Sequence, residues 1–554
     1  MSNTFFEKSK EIANDFLQSI VFIDDKAYLY EERNDHELNA QQITQVFARS
    51  EKICAVYKPE KLKDIDELSI LSKKSDIVVI DWQINLEENE EEIVNNDDDD
   101  DVEDHRGQHT RKIIREIVAD PISGKGSLKL ILIYTGEIIL PTITDIIYRD
   151  ISDLQIGSVN KENCSIATGN VKILVIAKPS AIEEGKEDAK FKHNPDLKEK
   201  IISYNNLPDF ILTEFTKMTN GLLTNFALIS LSEIRKNSGK LLTLFSKELD
   251  PAYLSHQSFI PNKEDANELL VELIKDALGN LLSYNEINKK IDEQLVNEWL
   301  NAVITEEDKS ILSSKGKELN PQIAYNRDIE FLKELLHSDE TRVDKRYETS
   351  FKKKITDKTI RNDYLKFLSK NNTSLFLNNS QKGLEEEINL KFAKLTHHKS
   401  LYISNEIEPK LTLGTVLRST KNKDNFYLCI QQKCDSVRLY GQERKFLFIP
   451  LNISNNGKFQ LVTSEGLKLS IDKKSFSIRT IKFNGHENDG VVKAVLQADG
   501  SFLFTQKYTE HEDEQFSWEL DLKDLHAQRI VDEYASQLSR VGLDESEWLR
   551  RWST

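Results

Sequence analysis

The chain has 554 residues, 38% of them hydrophobic, and a formal net charge of −18. At roughly 150 residues per domain, this length predicts three or four globular domains, and the excess of acidic residues disfavours nucleic-acid binding, which depends on neutralising phosphates. The sequence shows no signal peptide, no apolar run of the roughly 20 residues that span a membrane and no disulfide framework, so a cytoplasmic protein is expected.

Four apolar runs in the first third of the chain each end in polar, reactive residues. The runs cover residues 19–25, 76–82, 128–136 and 171–179, and each is rich in Ile, Val and Leu. Such continuous runs are typical of strands buried on both faces of a parallel sheet. The polar residues at their ends are Asp24, Asp25, Asp81, Thr135 and Lys178. Because the carboxyl ends of parallel strands meet at one edge of a sheet, we expect these side chains to share one site.

The residue types at these strand ends suit one kind of chemistry. Three neighbouring carboxylates repel one another unless a cation lies among them, and oxygen ligands of high charge density are preferred by Mg²⁺. A hydroxyl and an ammonium group can neutralise the oxygens of a phosphoryl group in transfer, and a carboxylate can act as nucleophile and become an acyl phosphate. The set therefore predicts capture of a phosphoryl group on an aspartate.

The segments between the apolar runs are predicted to be helices and one further strand. The sequence pattern predicts helices over 5–20, 39–49, 62–74, 109–121 and 138–151, a strand over 52–58, and an added hairpin between 154 and 169. Cys164 lies in this hairpin, where a buried apolar cysteine is expected rather than a redox switch.

The loop after Asp81 is long and strongly acidic, since twelve of the residues 87–104 are Asp or Glu. One interpretation is a solvated loop that cannot pack. The other is an electrostatic barrier beside Asp81 that repels small anionic phosphodonors and favours a basic partner. A calcium site is disfavoured, because the run lacks the glycine and the ligand spacing of calcium-binding loops.

In their order, Asp-Asp, Asp, Thr and Lys-Pro, the four strand ends resemble the receiver domain of two-component response regulators. The resemblance covers about residues 20–179, and it implies a flavodoxin-like fold, a partner histidine kinase and Mg²⁺. By this resemblance, Asp24 and Asp25 are the metal-binding acid pair and Asp81 is the phosphoacceptor. The resemblance implies that Mg²⁺ is held by these three aspartates and by the backbone carbonyl of Gln83.

The resemblance extends to the other two strand ends. Thr135 matches the hydroxyl position of the family, and Gly136 matches the small residue that leaves room for the phosphoryl group. Lys178 matches the lysine position and is followed by the usual proline, Pro179. Thr135 and Lys178 would therefore stabilise the transferred phosphoryl group.

Three further positions bear on how such a domain would work. Gln83 and Glu137 match positions that flank the attacking water and tune autodephosphorylation in the family; the alternative is that both side chains only face solvent. The family often has an aromatic switch residue three positions before the lysine, where this chain has Val175. This difference favours a phosphate sink or a scaffold over a conventional switch.

Residues 181–400 are predicted to be mainly helical. Apolar residues recur every three or four positions from Leu207 to Ile229, which predicts one long amphipathic helix. Further helices are predicted over 241–249, 265–284 and 287–304. Together they predict a helical bundle, formed either within one chain or as a homodimer contact through residues 207–284.

Two later features of the same region are a basic stretch, residues 345–358, and the His397–His398 pair. The basic stretch either meets an anionic partner or forms a solvated surface. The histidine pair lacks further residues at metal-ligand spacing, so metal binding is not expected there.

Residues 401–554 contain short strand candidates at regular spacing, among them residues 437–441, and these predict a small β-barrel or sandwich followed by a helical tail. Its 21 Lys and Arg and 22 Asp and Glu residues provide no positive field for DNA. Cys429 and Cys434 have no second pair, so ordinary cysteines are expected instead of a zinc site. Trp548 and Trp552 are expected to pack on the β domain.

The predicted fold class is multidomain: a receiver-type parallel α/β sheet over 1–180, a helical bundle over 181–400, and a β-rich domain over 401–554. The predicted function is a response regulator that accepts a phosphoryl group on Asp81, with no enzyme activity beyond slow autodephosphorylation. The overall layout resembles the buffering response regulator of Detocs-type phage-defence systems, which implies a phosphate sink that competes with a sister regulator. The alternative is an unphosphorylated pseudo-receiver scaffold that binds partner proteins through its helical and β domains.

Overall fold

A computed structural model of the chain describes residues 4–28, 38–86, 106–120, 128–154, 159–179, 195–260, 263–304, 312–313, 324–325, 329–337, 373–402, 407–454, 459–471, 477–506 and 514–538. The chain divides into two compact units, Met1–Thr305 with Asp328–Val343 and Glu306–Arg327 with Asp344–Thr554. The division into three domains at residues 180 and 400 stays a prediction. The acidic run 87–104, the basic stretch 345–358, Trp548 and Trp552 lie outside the described residues.

The first unit alternates strands with helices, and its described residues after the last strand continue in helices. Its strands are β1 (Ser19–Ile23), β2 (Ile53–Tyr57), β3 (Ile77–Ile80), β4 (Lys129–Thr135), β5 (Val159–Glu162), β6 (Ser165–Thr168) and β7 (Val171–Ala177). Its helices are α1 (Thr4–Phe16), α2 (Ala40–Arg49), α3 (Leu62–Lys74), α4 (Gln108–Ala119), α5 (Leu140–Ser152), α6 (Leu207–Thr219), α7 (Leu222–Leu244), α8 (Asp250–Phe259), α9 (Glu264–Tyr284), α10 (Glu293–Val303) and α11 (Ile329–His337).

The seven strands form one sheet in the order β2-β1-β3-β4-β7-β6-β5. The first five strands are parallel, and β6 and β5 extend the sheet as an antiparallel hairpin. With β7 as the fifth parallel strand, this is the doubly wound order of flavodoxin-like folds. The predicted α/β class of this region is confirmed. The strand order reverses between β1 and β3, which is where such folds place their sites.

The sheet is buried on both faces because its central strands are continuously apolar. All four residues of β3 and all seven of β4 are buried. One face packs against α3, α4 and α5, and the other packs against α1, α2 and α6. The apolar runs of the sequence therefore contribute side chains to two hydrophobic cores, one on each face of the sheet.

One predicted helix in this unit has other boundaries. The helix predicted over 207–229 is two helices, because the backbone turns out of helical geometry at Asn220 (ψ 56°) and Gly221 (ψ 151°), and glycine is a poor helix former. Residues 155–158 of the predicted hairpin lie outside the described residues, and its first described strand is Val159–Glu162. Cys164 lies in the hairpin turn with φ +61° and is buried, as expected.

The helices after residue 200 are joined to the sheet by specific polar contacts. Asn225 of α7 donates from Nδ2 to Ser9 Oγ of α1 at 2.9 Å. Arg235, also in α7, donates to the Phe16 carbonyl oxygen at 2.9 Å. Lys172 of β7 lies 2.8 Å from the carboxylate of Glu214 in α6. The first half of α7 is therefore part of the unit that holds the sheet.

Over its described residues, the second unit is built from antiparallel strands and helices. Its strands are β8 (Leu312–Ser313), β9 (Ala324–Tyr325), β10 (Thr415–Ser419), β11 (Phe426–Cys429), β12 (Glu443–Ile453), β13 (Leu461–Val462), β14 (Lys468–Ile471), β15 (Arg479–Asn484), β16 (Val495–Leu496), β17 (Phe502–Gln506) and β18 (Glu514–Asp521). Its helices are α12 (Glu385–His397) and α13 (Asp524–Leu538).

Nine of these strands form one sheet, in the order β13-β14-β12-β11-β10-β18-β17-β16 with β15 also paired to β12. The first part of the long strand β12 pairs with β15 and its last residues pair with β14. Phe483 of β15 packs its ring 6.2 Å from Phe504 and 6.1 Å from Phe516, so the sheet folds over an aromatic core. The predicted β-rich region with a helical tail is confirmed.

One predicted strand of this unit, residues 437–441, is absent from the described sheet. Arg438 and Tyr440 have φ of +65° and +33°, which an extended strand does not allow. Cys429 is buried inside β11 and Cys434 is exposed, and neither cysteine forms a disulfide.

Three histidines of this unit hold the edge strand β13. His397 and His398 stand at the end of α12, and the His526 ring of α13 stacks on His397 at 5.3 Å. His397 Nε2 accepts from the Val462 N–H at 3.0 Å, and His398 Nε2 lies 2.6 Å from the Val462 carbonyl oxygen. We call this set the histidine clasp.

None of the helices that the structure describes combines the length and low charge needed to cross a bilayer.

Candidate functional site

The five polar residues predicted to share a site do meet at the carboxyl edge of the parallel sheet. Asp24 and Asp25 follow β1, Asp81 follows β3, Thr135 ends β4, and Lys178 follows β7. Backbone bonds continue the sheet into this edge: Asp81 N donates to the Ile23 carbonyl oxygen at 2.9 Å, and Lys178 N donates to the Thr135 carbonyl oxygen at 2.7 Å. Strand order alone therefore brings together residues more than 150 positions apart.

Lys178 is the centre of the charged network. Its Nζ lies 2.7 Å from Asp24 Oδ2 and 2.8 Å from Asp81 Oδ1. The lysine and Asp24 are each only 2% exposed. Burial alone would lower the pKa of Lys178, but the two carboxylates raise it above its usual value. The ammonium group is therefore permanently charged and fixed against the side chain of Asp81.

Asp81 lies at the solvent-accessible edge of this network. Its side chain retains 11% exposure, so it is the partly accessible member of the buried set. Burial, opposed by Lys178 and reinforced by the neighbouring Asp24, raises the pKa of Asp81 to about 7. Asp24, Asp25 and Asp81 place three carboxylates beside the single ammonium group of Lys178, which is the situation that a bound cation relieves.

Asp25 has one oxygen engaged and one oxygen unused. Its Oδ2 accepts from the Asn85 backbone N–H at 3.0 Å and from Asn85 Nδ2 at 3.2 Å. Its Oδ1 is buried and has no hydrogen-bond partner among the residues that the structure describes. Burial, together with repulsion from Asp24, raises the pKa of Asp25. A buried carboxylate oxygen without a partner is costly unless a ligand takes it up.

The donor set fits Mg²⁺ by its chemistry. Oxygen ligands, a net negative charge and the unused Asp25 Oδ1 all favour a hard divalent cation. The side chains are nevertheless not arranged as a ready metal cluster: within the described residues, no group of three His, Cys, Asp or Glu side chains is placed to hold a metal ion. Lys178 occupies the space between Asp24 and Asp81 instead. The predicted role of the Gln83 carbonyl stays a prediction.

Thr135 is oriented to donate a hydrogen bond. The residue is buried, and its Oγ1 accepts from the Glu137 backbone N–H at 3.1 Å. Accepting this bond leaves the hydroxyl hydrogen available for an oxygen in the site. Lys178 and Thr135 thus supply two donors on the same edge as Asp81.

Gln83 and Glu137 join each other across the two loops. Gln83 Nε2 donates to Glu137 Oε1 at 2.7 Å, and the Gln83 backbone N–H lies 3.2 Å from Asp81 Oδ2. Glu137 in turn donates its backbone N–H to Thr135. The side-chain bond, which we call the Gln83–Glu137 bridge, therefore links the loop of the phosphoacceptor candidate to the loop of the hydroxyl.

The sequence analysis did not identify the residues that hold the Asp81 loop in place. Thr110, at the start of α4, donates from Oγ1 to the Asp81 carbonyl oxygen at 2.7 Å. Gly107 lies so close to the buried Trp82 ring that a Cβ there would stand 2.6 Å from it. These contacts, and the Asn85 bonds to Asp25, join loops distant in sequence, so no local pattern signals them.

Residues 16–183 match a family described as the response receiver domain. The match confirms the resemblance predicted from the strand-end residues. It covers less than a third of the 554-residue chain, and the Detocs resemblance rests on layout alone. The receiver domain supports a phosphoacceptor role of the response-regulator type. No curated protein and no solved structure gives a match.

Proposed function

We propose that Asp81 accepts a phosphoryl group from a partner histidine kinase in a Mg²⁺-dependent reaction. The observation that carries this proposal is the fixed Lys178 ammonium, 2.8 Å from Asp81 and 2.7 Å from Asp24, at the switch point of a receiver-type sheet. A partly accessible carboxylate beside a permanent cation is an aspartate prepared to carry an additional anionic group.

The reaction is a displacement at phosphorus. An Asp81 carboxylate oxygen forms the new P–O bond while the P–N bond to the donor histidine breaks, and the departing imidazole nitrogen regains a proton. The product is an acyl phosphate on Asp81. Lys178 moves from a carboxylate pair toward the new phosphoryl oxygens, and the Thr135 hydroxyl donates to another of them.

Mg²⁺, when bound by Asp24, Asp25 and Asp81, supplies positive charge that neutralises the phosphoryl oxygens in the transition state. The unused Asp25 Oδ1 is the position in this chain most suited to take it up. Asn85 holds the other Asp25 oxygen, so it orients this ligand. We expect chelation of Mg²⁺ to abolish phosphorylation and leave the fold intact.

The direct test is intact-mass spectrometry after incubation with Mg²⁺ and a small acyl phosphate, or with the phosphorylated kinase from the same operon. Wild type is compared with Asp81→Asn, and Asp153→Asn serves as the control because Asp153 is an exposed aspartate outside the site. The expected result is one phosphoryl adduct in wild type and in the Asp153 variant, and none in the Asp81 variant.

The alternative, an unphosphorylated scaffold, predicts a different result. No adduct from either donor, with the kinase shown to be active on another receiver, would rule out the phosphoacceptor proposal. Binding of beryllofluoride, which mimics an acyl phosphate without needing a donor, gives an independent measurement on the same variants. An adduct that persists in Asp81→Asn would place the acceptor on another residue.

The Gln83–Glu137 bridge supports slow loss of the phosphoryl group. Because the Gln83 and Glu137 side chains are hydrogen-bonded to each other, neither is available to orient a water molecule for attack on the acyl phosphate. We expect Glu137→Ala, which frees the Gln83 amide, to change the decay rate of the adduct severalfold without changing the amount formed. Glu60→Ala, on an exposed carboxylate before α3, is expected to leave the decay rate unchanged.

The finer role we propose is a phosphate sink in a bacterial anti-phage two-component system, competing with a sister regulator for one cytoplasmic kinase. Val175, at the position of the family's aromatic switch, favours storage over conventional switching, and it is fully buried. A phosphotransfer competition assay tests this: adding the chain is expected to reduce phosphorylation of the sister regulator, and Asp81→Asn is expected not to. A homodimer through residues 207–284 completes the proposal.

A further inference from the structure

Lys178 lies over the ring of a buried tyrosine on the neighbouring strand. Its Nζ is 5.9 Å from the ring centroid of Tyr134, which precedes Thr135 in β4 and is 1% exposed. Side chains alternate between the two faces of a strand, so Tyr134 and Thr135 point to opposite faces of the sheet. Tyr134 packs in the core formed with α1, α2 and α6. The ring therefore approaches Lys178 from the interior of the protein.

A segment that follows the parallel sheet holds this tyrosine in place. The Tyr134 hydroxyl donates to the Ile202 carbonyl oxygen at 2.6 Å. The Ile202 N–H in turn donates to the Ala177 carbonyl oxygen at 3.1 Å, and Ile201 pairs with Ala177 in a parallel bridge. We call residues 201–206 the site strap, since they connect β4 to the end of β7.

The site strap takes a position beside β7 that the added hairpin leaves open. The register of β6 with β7 ends at Leu174, and the last residue of β7, Ala177, pairs with the strap. The other side of Ala177 pairs with Thr135 of β4. The Tyr134 side chain, the strap and the ends of β4 and β7 thus form a closed set of contacts directly before Lys178.

Tyr204 adds a second aromatic ring from the strap. Its ring centroid lies 6.0 Å from that of Tyr134, at an interplanar angle of 67°, which is an edge-to-face arrangement. The Tyr204 hydroxyl is hydrogen-bonded to the backbone of Asn39, the residue that caps α2. The strap ends at α6, whose first residue, Leu207, is fully buried. Tyr134 is therefore fixed by a hydroxyl bond, by a ring contact and by core packing.

A ring face can hold the ammonium group without taking one of its hydrogens. An aromatic ring attracts a cation through its electron-rich face within roughly 6 Å, whereas a hydroxyl or carbonyl oxygen would accept a hydrogen bond. An ammonium group has three N–H donors, and the carboxylates of Asp24 and Asp81 accept two of those of Lys178. Since the ring accepts none, the third can be donated to a phosphoryl oxygen on Asp81.

We infer that Tyr134, held by the site strap, is a positioning residue for phosphoryl transfer to Asp81. It acts through Lys178, because its ring keeps the ammonium group next to the acceptor carboxylate and excludes water from the buried side of that group. This inference rests on the proposed function. It also extends the site beyond the receiver-domain match, which ends at residue 183, to residues 201–206.

Protection of Lys178 from an amine-reactive label tests this geometry without any phosphorylation. The full-length chain is labelled briefly and digested, and mass spectrometry compares labelling of Lys178 with that of Lys129, which is buried at the opposite end of β4. Tyr134→Leu is expected to label Lys178 about tenfold faster and Lys129 no faster. Tyr134→Phe, which keeps the ring and loses the hydroxyl bond, is expected to label Lys178 about threefold faster.

Phosphorylation kinetics measure whether this position matters for the reaction. With a small acyl phosphate and Mg²⁺, Tyr134→Leu is expected to lower the maximal rate of adduct formation about tenfold, and Tyr134→Phe is expected to restore most of the rate. The Mg²⁺ dissociation constant, measured by calorimetry without a donor, is expected not to rise in either variant, because Tyr134 acts on Lys178 and not on the oxygen ligands.

The chain offers a matched control in α5. Lys161 Nζ lies 5.5 Å from the ring centroid of Tyr148, so this pair has a similar geometry away from the candidate site. Tyr148→Leu is expected to leave the labelling of Lys178, the Mg²⁺ affinity and the rate of adduct formation at their wild-type values.

The outcomes separate this inference from the phosphoacceptor proposal. Unchanged labelling of Lys178 in Tyr134→Leu would overturn the inference, as would a loss of Mg²⁺ affinity as large as the loss of rate. If Lys129 is also labelled faster in Tyr134→Leu, the leucine disrupts the fold and Tyr134→Phe decides: unchanged labelling of Lys178 in that variant overturns the inference. No adduct in wild type, with Lys178 labelled faster in the Tyr134 variants, would instead refute the phosphoacceptor proposal.

Discussion

The histidine clasp makes the stability of the second unit depend on pH in a calculable way. His397 accepts a backbone hydrogen bond at Nε2, so this nitrogen must be unprotonated in the folded chain. Burial, together with the neighbouring His398 and His526, lowers the pKa of His397 from 6.5 to about 4. The folded state therefore binds fewer protons than the unfolded state between these two values.

The sign and size of the effect follow from this difference. Stability from the neutral ring is fully present above pH 6.5 and is lost as the pH falls toward 4. At pH 5 the loss from His397 alone is about 2 kcal/mol, and the limit below pH 4 is about 3 kcal/mol. Protonation would also turn Nε2 into a donor that faces the Val462 N–H donor, so this hydrogen bond would be lost.

The perturbation is His397→Gln, which keeps an acceptor oxygen but does not titrate. Urea unfolding is measured at pH 7.5 and pH 5, and each sample is probed by a hydrogen-exchange pulse at one fixed pH. Peptides from β13 and α13 report on the second unit. Between the two pH values, wild type is expected to lose about 2 kcal/mol more of its free energy of unfolding than the variant. Equal losses in the two chains would refute the assignment of the pH dependence to His397.

Two further substitutions test buried contacts of the first unit, one beside the candidate site and one at the opposite end of β4. Gly107→Ala is expected to lower the free energy of unfolding by about 2–4 kcal/mol, because φ is +68° and a Cβ would stand 2.6 Å from the Trp82 ring. The control is Gly239→Ala, at a position in α7 with open space around it. This control is expected to stabilise the chain by up to about 1 kcal/mol. Lys129→Met is expected to cost about 1–3 kcal/mol, because the buried ammonium donates to backbone carbonyls at the end of α3. Urea unfolding of the first unit measures all three, and an unchanged midpoint for either test variant contradicts its contact.

The parallel sheet was predictable because its signal is local. Each buried strand is a short Ile, Val and Leu run that ends in a functional residue, so strand identity and site membership are encoded in the same few positions. The order of the strands then follows from the family resemblance. The added hairpin has a weaker signal, because three of the four residues of β5 are exposed and no continuous apolar run marks that strand.

The features that sequence reasoning missed all depend on contacts between distant positions. His397 and His526 are separated by more than a hundred residues yet stack at 5.3 Å, so the pair at 397–398 looked isolated in the sequence. The break at Gly221 was hidden because apolar periodicity continues through it. Packing of two successive helices on the same core preserves that periodicity even where the backbone turns.

The side chains inside the receiver domain support the proposal that the chain stores a phosphoryl group rather than transmitting a signal. Transmission needs a side chain that changes position when Thr135 moves toward the phosphoryl group. Val175 is buried, and its short, β-branched side chain has little rotamer freedom. The aromatic residue beside Thr135 is Tyr134, and its hydroxyl is held by the Ile202 carbonyl oxygen at 2.6 Å. Because neither side chain is free to change its position, we expect the proposed adduct to change mainly the conformation of the accessible edge of the site, where the Gln83–Glu137 bridge lies. Measured conformational change on phosphorylation should therefore be confined to that edge, as a phosphate sink requires.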